Sequence, residues 1–163
     1  MIFKHFMAIA KRDKIRSLIF ILLPVLILSC VILSTNISSG KEAQRVSDVQ
    51  LLARAINGEA RGEPYEGQVA VGAVILNRVK SPDFPNTIAG VIYQPGAFTA
   101  VADGQINVPI DPKSTVVKAA QDALNRWDPT YGCLYYWNPE TATSKWIWSK
   151  KIVVKIGKHN FAK

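Results

Sequence analysis

The strongest constraint on this chain is the apolar run from Leu18 to Leu33, broken only by Pro24 and Ser29. With its flanks it approaches the roughly 20 residues needed to cross the hydrocarbon core of a bilayer. It has no amphipathic pattern and so no polar face to turn toward water, which sets it apart from a helix of a soluble core. Lys4, Lys11, Arg12, Lys14 and Arg16 precede it, and the polar stretch from Ser34 to Gly40 follows. The positive-inside rule then puts the N-terminus in the cytoplasm and everything beyond residue 40 outside. The chain divides into a basic cytoplasmic segment (1–16), a transmembrane anchor (17–37), a linker (38–46) and one globular domain (47–163). The alternative is a signal peptide, with secretion after cleavage. The run is long for that role and no small-x-small cleavage site follows it, which favours a retained single-pass anchor.

Residues 47–163 are enough for one hydrophobic core. Ser47 reads as an N-cap with Asp48 in the first turn. Val49, Leu52, Ala53 and Ile56 recur at helical spacing. Gly58 and Gly62 predict a break around 58–63. Pro64 suits the first turn of a second helix, with Val69, Ala73 and Leu76 on its core face and an end before Ser81-Pro82. Ala70, Gly72 and Ala73 are small enough for close helix packing. Thr87 is placed to cap a short helix, Ile88 to Tyr93. Phe98 to Val101 reads as a short strand closed by an Asp103-Gly104 turn. Ser114 caps a helix through Leu124, stopped by Asp128-Pro129. Leu134 to Trp137 is strand-like, and residues 152–156 and 159–161 flank Gly157-Lys158 as a hairpin. The sum is an α+β domain, helices leading and short strands later.

The formal net charge is +8, which favours polyanionic surroundings: nucleic acid, anionic lipid, or a wall rich in carboxylate and phosphate. Lys145, Lys150, Lys151, Lys155, Lys158 and Lys163 crowd the C-terminal end. A solvated face is the plain alternative. A position outside the membrane disfavours nucleic acid as partner. Cys30 lies in the apolar run, so the domain holds Cys133 alone and no internal disulfide is expected. His5 and His159 sit at opposite ends, which supports neither a zinc site nor a nucleophilic triad. No metal or cofactor is expected.

Two carboxylates carry the chemistry. Glu59 falls where the first helix ends, and Glu63 follows at the start of the second. In an unbroken helix this i,i+4 pair would share one face, roughly 5–6 Å apart, a separation like that of a retaining glycosidase. Gly62 and Pro64 argue for a break. Glu63 then reads as a first-turn acid favoured by the helix dipole. Glu59 reads either as a solvated helix-end carboxylate or as a rigid, partly desolvated general acid. The aromatic cluster Tyr135, Tyr136, Trp137, Trp146 and Trp148 is interleaved with Asn138, Thr141, Thr143 and Ser144. Flat rings stack on sugars, on single-stranded nucleic acid, or on one another in a core. In a strand, Tyr136 faces away from its two neighbours.

Residues 57–79 (NGEARGEPYEGQVAVGAVILNRV), 93–101 (YQPGAFTAV), 135–148 (YYWNPETATSKWIW) and 155–163 (KIGKHNFAK) together resemble the SleB/CwlJ family of cell-wall hydrolases, the spore cortex-lytic enzymes and their vegetative relatives. The blocks run in collinear order through residues 48–163. The resemblance implies a compact α+β fold distantly similar to lysozyme and lytic transglycosylases, and peptidoglycan glycan strands as substrate. It implies that Glu59, first glutamate of the E-A-R-G-E block, is the catalytic acid. In a lytic transglycosylase it would protonate the oxygen bridging MurNAc and GlcNAc, then take the proton of the MurNAc C6 hydroxyl, which attacks C1 and leaves a 1,6-anhydro end. One carboxylate suffices for this. A hydrolytic muramidase ordinarily needs a second, for which Glu63 and Asp103 are the candidates. Thr99, Tyr136, Asn138 and Trp148 are candidate substrate contacts, with turn hydrogen bonds and core packing as their plain alternatives. The best-known members carry a peptidoglycan-binding module where this chain has its apolar run, so tethering would keep the domain near its substrate. An amidase and a non-catalytic wall-binding module are the competing readings. No regulatory partner can be named from the sequence.

Overall fold

The computed structural model describes residues 41–163. The basic segment and the expected membrane span at 17–37 lie outside the described residues. The chain divides into two compact units, Met1–Gln44 and Arg45–Lys163, and the second carries everything below. Among the described residues no helix is long and apolar enough to cross a membrane.

Helix α1 occupies residues 45–60 of this unit. The backbone is already helical before Ser47, so Ser47 lies inside the helix and does not cap it, a correction to the sequence reading. Val49, Leu52, Ala53, Ala55, Ile56 and Ala60 form its buried face. The break expected from residue 58 comes at 61–64 instead, leaving Gly58 and Glu59 helical. A glycine inside a helix costs only about 1 kcal/mol, and tertiary packing at Gly58 offsets it. Helix α2, Tyr65–Lys80, begins after Pro64 and ends at Ser81. Every residue from Gly67 to Ile75 is buried, the pattern of a helix surrounded by other elements. Ile56 of α1 and Ala123 of α5 (Thr115–Leu124) both press on Gly72, where a Cβ would sit 3.0 and 3.1 Å from them.

Helix α3, Ile88–Ile92, is capped as expected, the Thr87 hydroxyl accepting from the Gly90 amide at 3.0 Å. Residues 98–101 are not a strand. Thr99–Ala102 form one helical turn, α4. With no strand among the described residues to pair with, the backbone groups bond within the turn instead, Asp103 N–H to Thr99 C=O at 3.0 Å. The turn that follows has Gly104 at φ 80°, as its sequence predicts. Ser114 occupies the N-cap position of α5 without a side-chain capping bond, and α5 ends at Asn125, before Asp128-Pro129.

Three strands complete the unit: β1 Tyr135–Trp137, β2 Ile152–Ile156 and β3 His159–Ala162. They form an antiparallel sheet in the order β1-β3-β2. β3, the last in sequence, is central and buried throughout. Phe161 pairs with Tyr136 on one side and Val154 on the other. One face of the sheet packs Cys133, Ile156 and Phe161 against Ala70 and Val74 of α2. The other gathers Trp137, Ala162 and Ile147, with Tyr135 alongside. Tyr136 thus points opposite to Tyr135 and Trp137, as strand alternation requires.

Candidate active site

Glu59 stands in the last turn of α1, and what fixes it begins one residue earlier. A Cβ on Gly58 would collide with the Ala100 Cβ. Its absence lets α4 lie directly on α1. Thr99 then donates its hydroxyl to Glu59 Oε1 at 2.9 Å, and the Ala100 N–H reaches the same oxygen at 3.4 Å. The other oxygen, Oε2, accepts from the Tyr136 hydroxyl at 3.2 Å. Donors from α4 and β1 therefore hold the carboxyl from two sides.

Tyr136 is in reach because the end of α2 anchors the approach to β1. The Asn77 side-chain amide donates to Asp128 Oδ2 at 2.9 Å and to the Cys133 carbonyl at 3.2 Å. Arg78 Nε donates to the Leu134 carbonyl at 2.8 Å. Asp128 also accepts from the Thr130 amide and hydroxyl and from the Gly132 amide, at 2.8, 2.6 and 2.9 Å. Burial works to raise the Asp128 carboxyl, but these donors outweigh it and hold the group below the usual carboxylate range. Burial pushes the Tyr136 phenol well up, the Glu59 charge and hydrogen bond add to this, and Arg78 opposes it. Tyr136 is therefore a neutral O–H donor. Burial lowers Arg78, against the pull of Tyr136, Tyr135 and Glu59. Its guanidinium rests 5.3 Å from the Phe84 ring centre and 5.7 Å from that of Phe98.

Glu63 is held from the opposite end of the chain. Gly157 turns the β2–β3 hairpin at φ 57°, and a Cβ there would run into Glu63 Oε2. The Lys158 amide donates to that oxygen at 2.9 Å. Glu63 lies just before Pro64, the N-cap of α2, and its side chain reaches to the hairpin. His159 Nδ1 lies 3.9 Å from the same oxygen and has no hydrogen-bond partner. Burial lowers the His159 imidazole, and the Glu63 and Glu59 charges pull the other way without reversing it.

These groups line one cleft of about 540 Å³. Glu59, Glu63, Thr99, Tyr136 and Asn138 all border it. Asn138 also makes a turn bond, accepting from the Glu140 amide at 2.9 Å. Trp148 does not border it. Its ring stands edge-on to Trp137, centroids 6.2 Å apart, and is half-exposed. The 3-10 turn Lys145–Ser149 buries Ile147 and so directs the indoles on either side of it outward. Asp103 is likewise elsewhere, bonded to the Gln105 amide and side chain. Cys133 is buried, and burial pushes its thiol up, away from a reactive thiolate.

A family model described as cell wall hydrolase matches residues 62–162, more than half of the chain. This chain belongs to the cell wall hydrolase family. Among its relatives is the spore cortex-lytic enzyme of Bacillus cereus, 60% identical over 129 residues, covering 79% of this chain and 48% of that protein. The chain spans about half the length of the curated relatives it matches first. Two solved structures resemble the hydrolase domain in fold. The catalytic domain of the Bacillus cereus SleB protein is 63% identical with a TM-score of 0.67, covering 71% of this chain and 89% of that one. The catalytic domain of the germination-specific lytic transglycosylase SleB from Bacillus anthracis is 62% identical with a TM-score of 0.68, covering 71% and 93%. The helix-rich α+β architecture with a small antiparallel sheet is therefore the fold of the SleB catalytic domain.

Sequence reasoning missed three residues on the cleft wall: Arg78, Trp137 as a donor, and His159. The Trp137 indole N–H is buried without a partner, as is His159 Nδ1. Buried polar atoms are rarely left unpaired, and both residues border the cleft. Arg78 had a signal: a charged residue two positions past the apolar stretch Val69 to Leu76, after Asn77. The other two had none beyond residue type.

Proposed function

We propose that this domain cleaves the β-1,4 bond between MurNAc and GlcNAc of peptidoglycan as a lytic transglycosylase, with Glu59 as acid and then base. The observation that carries this is the Glu59 carboxyl group, held at the cleft from two sides by Thr99 and Tyr136. Protonated Glu59 gives its proton to the bridging oxygen as the C1–O bond breaks and positive charge builds on the MurNAc ring. The carboxylate left behind takes the proton of the MurNAc C6 hydroxyl as that oxygen bonds to C1. The product carries a 1,6-anhydro ring and Glu59 is protonated again. The Tyr136 hydroxyl, a donor through the whole cycle, keeps Oε2 aimed while the proton leaves and returns. Glu63 borders the same cleft and accepts from the Lys158 amide. The name of the Bacillus anthracis relative, a lytic transglycosylase, supports the same reading.

The substrate would be spore cortex or vegetative wall, reached from the extracytoplasmic face of the cell membrane with residues 17–37 as anchor. Muropeptides released from purified peptidoglycan decide the chemistry by mass spectrometry. Products lighter by one water, with anhydro ends, are expected. Hydrated reducing ends at MurNAc would replace this mechanism with that of a hydrolytic muramidase and give Glu63 the second role. Protease treatment of intact and broken cells tests the location: digestion of the domain in intact, wall-stripped cells is expected, and protection until lysis would refute it.

A further inference from the structure

Arg78 borders both the Glu59 cleft and a second pocket, of about 340 Å³, beside it. We propose that its guanidinium binds a carboxylate of the substrate, carried on the lactyl side chain of a muramic ring. The carboxylate is either the lactyl group's own or the end of a short peptide attached there. This rests on the glycan-cleaving reading above and names the substituent for which the site selects.

Packing fixes the group without neutralising it. Arg78 stands in the last turn of α2, and Nε donates to the Leu134 carbonyl at 2.8 Å. The Phe84 and Phe98 rings, 5.3 and 5.7 Å from its central carbon, attract the cation but carry no net charge. Among the described residues no carboxylate stands within salt-bridge distance of it. Glu59, on the same cleft, is bonded by Thr99, Ala100 and Tyr136 instead. Burial works against the Arg78 charge, and a desolvated guanidinium without a counter-charge is costly. Of its donors only Nε is engaged by the described residues, and neither terminal nitrogen is among the buried unpartnered atoms. Both therefore face open space, which at Arg78 is the cleft and the pocket. A planar fork anchored by one edge and free at the other fits a carboxylate, which takes two parallel N–H···O bonds. A hydroxyl or an uncharged ring calls for no such cation. Lys158 also borders the cleft, but it is exposed and water serves its charge. In peptidoglycan the carboxylates belong to the muramic rings and their peptides, and GlcNAc has none. Arg78 thus tells one ring of the alternating strand from the other.

The test uses the full chain in detergent, as Glu59→Gln, and needs no turnover. The ligands are tetrasaccharides of alternating GlcNAc and MurNAc with the lactyl group as free carboxylate, as primary amide, or extended by one L-alanine with a free carboxylate. One carboxylate form is expected to bind about tenfold more tightly than the amide, the scale of a hydrogen bond to a charged group. Which form does so identifies the source as lactyl or peptide. The Arg78 guanidinium N–H resonances should shift with that ligand and not with the amide. Arg78→Gln in the same background should erase the preference, while chitotetraose, which has no carboxylate, binds as before. Equal binding of all three forms, or a preference that survives Arg78→Gln, overturns the inference. If Arg78→Gln loses chitotetraose as well, the resonances of the parent decide, and no shift with either carboxylate overturns it. A preference in a protein whose wild type cleaves no glycan keeps the carboxylate site and removes the cleavage reading; cleavage without preference does the reverse.

Discussion

Glu59 is held by two hydroxyls and one amide, and the two hydroxyls can be removed without disturbing the core. Glu59→Gln keeps the shape and removes the proton. Glycan cleavage should fall by about 10²–10⁴-fold with the thermal midpoint unchanged; activity near wild type would refute the role of Glu59. Tyr136→Phe keeps the ring that packs against His159 and Phe161 and removes the donor to Glu59. A hydrogen bond to a charged group contributes about 1.5–3 kcal/mol, so kcat should fall about tenfold or more with KM little changed. His159 makes a stability prediction. Its folded-state pKa is lowered, so the unfolded chain takes up a proton first as the medium acidifies. Its contribution is complete above the ordinary value of about 6.5 and is lost as pH falls from there toward the folded value. Asp128, held low, adds a second loss only below the usual range of an aspartate, about 3.9. Urea unfolding at pH 7.5 and 5.5 should show a drop in wild type that His159→Gln lacks; equal drops would refute the assignment.

Between elements, the decisive contact is α4 on α1. Gly58→Ala puts a methyl group where Ala100 already sits. Such overpacking costs about 1–3 kcal/mol, and the cheapest relief is to move α4 and with it Thr99. The variant should lose stability by that amount in urea titration and lose activity beyond what stability explains; retention of full activity would show that α4 does not position Glu59. This contact also marks the limit of what the residues foretold. α2, the Thr87 cap and the Gly157-Lys158 hairpin were legible because helical spacing, a capping hydroxyl and a left-handed glycine act locally. Phe98 to Val101 was misread as a strand because β-propensity is settled by partners, and no strand among the described residues pairs with it. Ser47 was misread because a helix already running overrides a capping residue. Glu59, Thr99, Tyr136 and Asn138, singled out by their blocks, border one cleft. Trp148 lies away from it, since which indole of a turn faces inward depends on Ile147 being the buried one. Arg78 and His159 reach the cleft through tertiary packing that spacing does not encode.

At the scale of the molecule, Lys145, Lys151, Lys155, Lys158 and Lys163 are exposed on a chain of net charge +8. Their attraction to an anionic wall is screened beyond about 10 Å at 0.1 M salt. Binding of Glu59→Gln to purified sacculi should therefore weaken steadily as salt is raised; salt-independent binding would assign the affinity to the cleft alone. The order of assembly has a further consequence. The candidate acid lies on α1, yet His159 on the cleft wall and the strand that β1 and β2 both pair with come after every other element. A nascent chain can hold Glu59 in a finished helix and still have no sheet to present Tyr136. Until β3 is made, Glu59 lacks the sheet that brings it the Tyr136 hydroxyl, and a cut ahead of His159 would take that sheet away again.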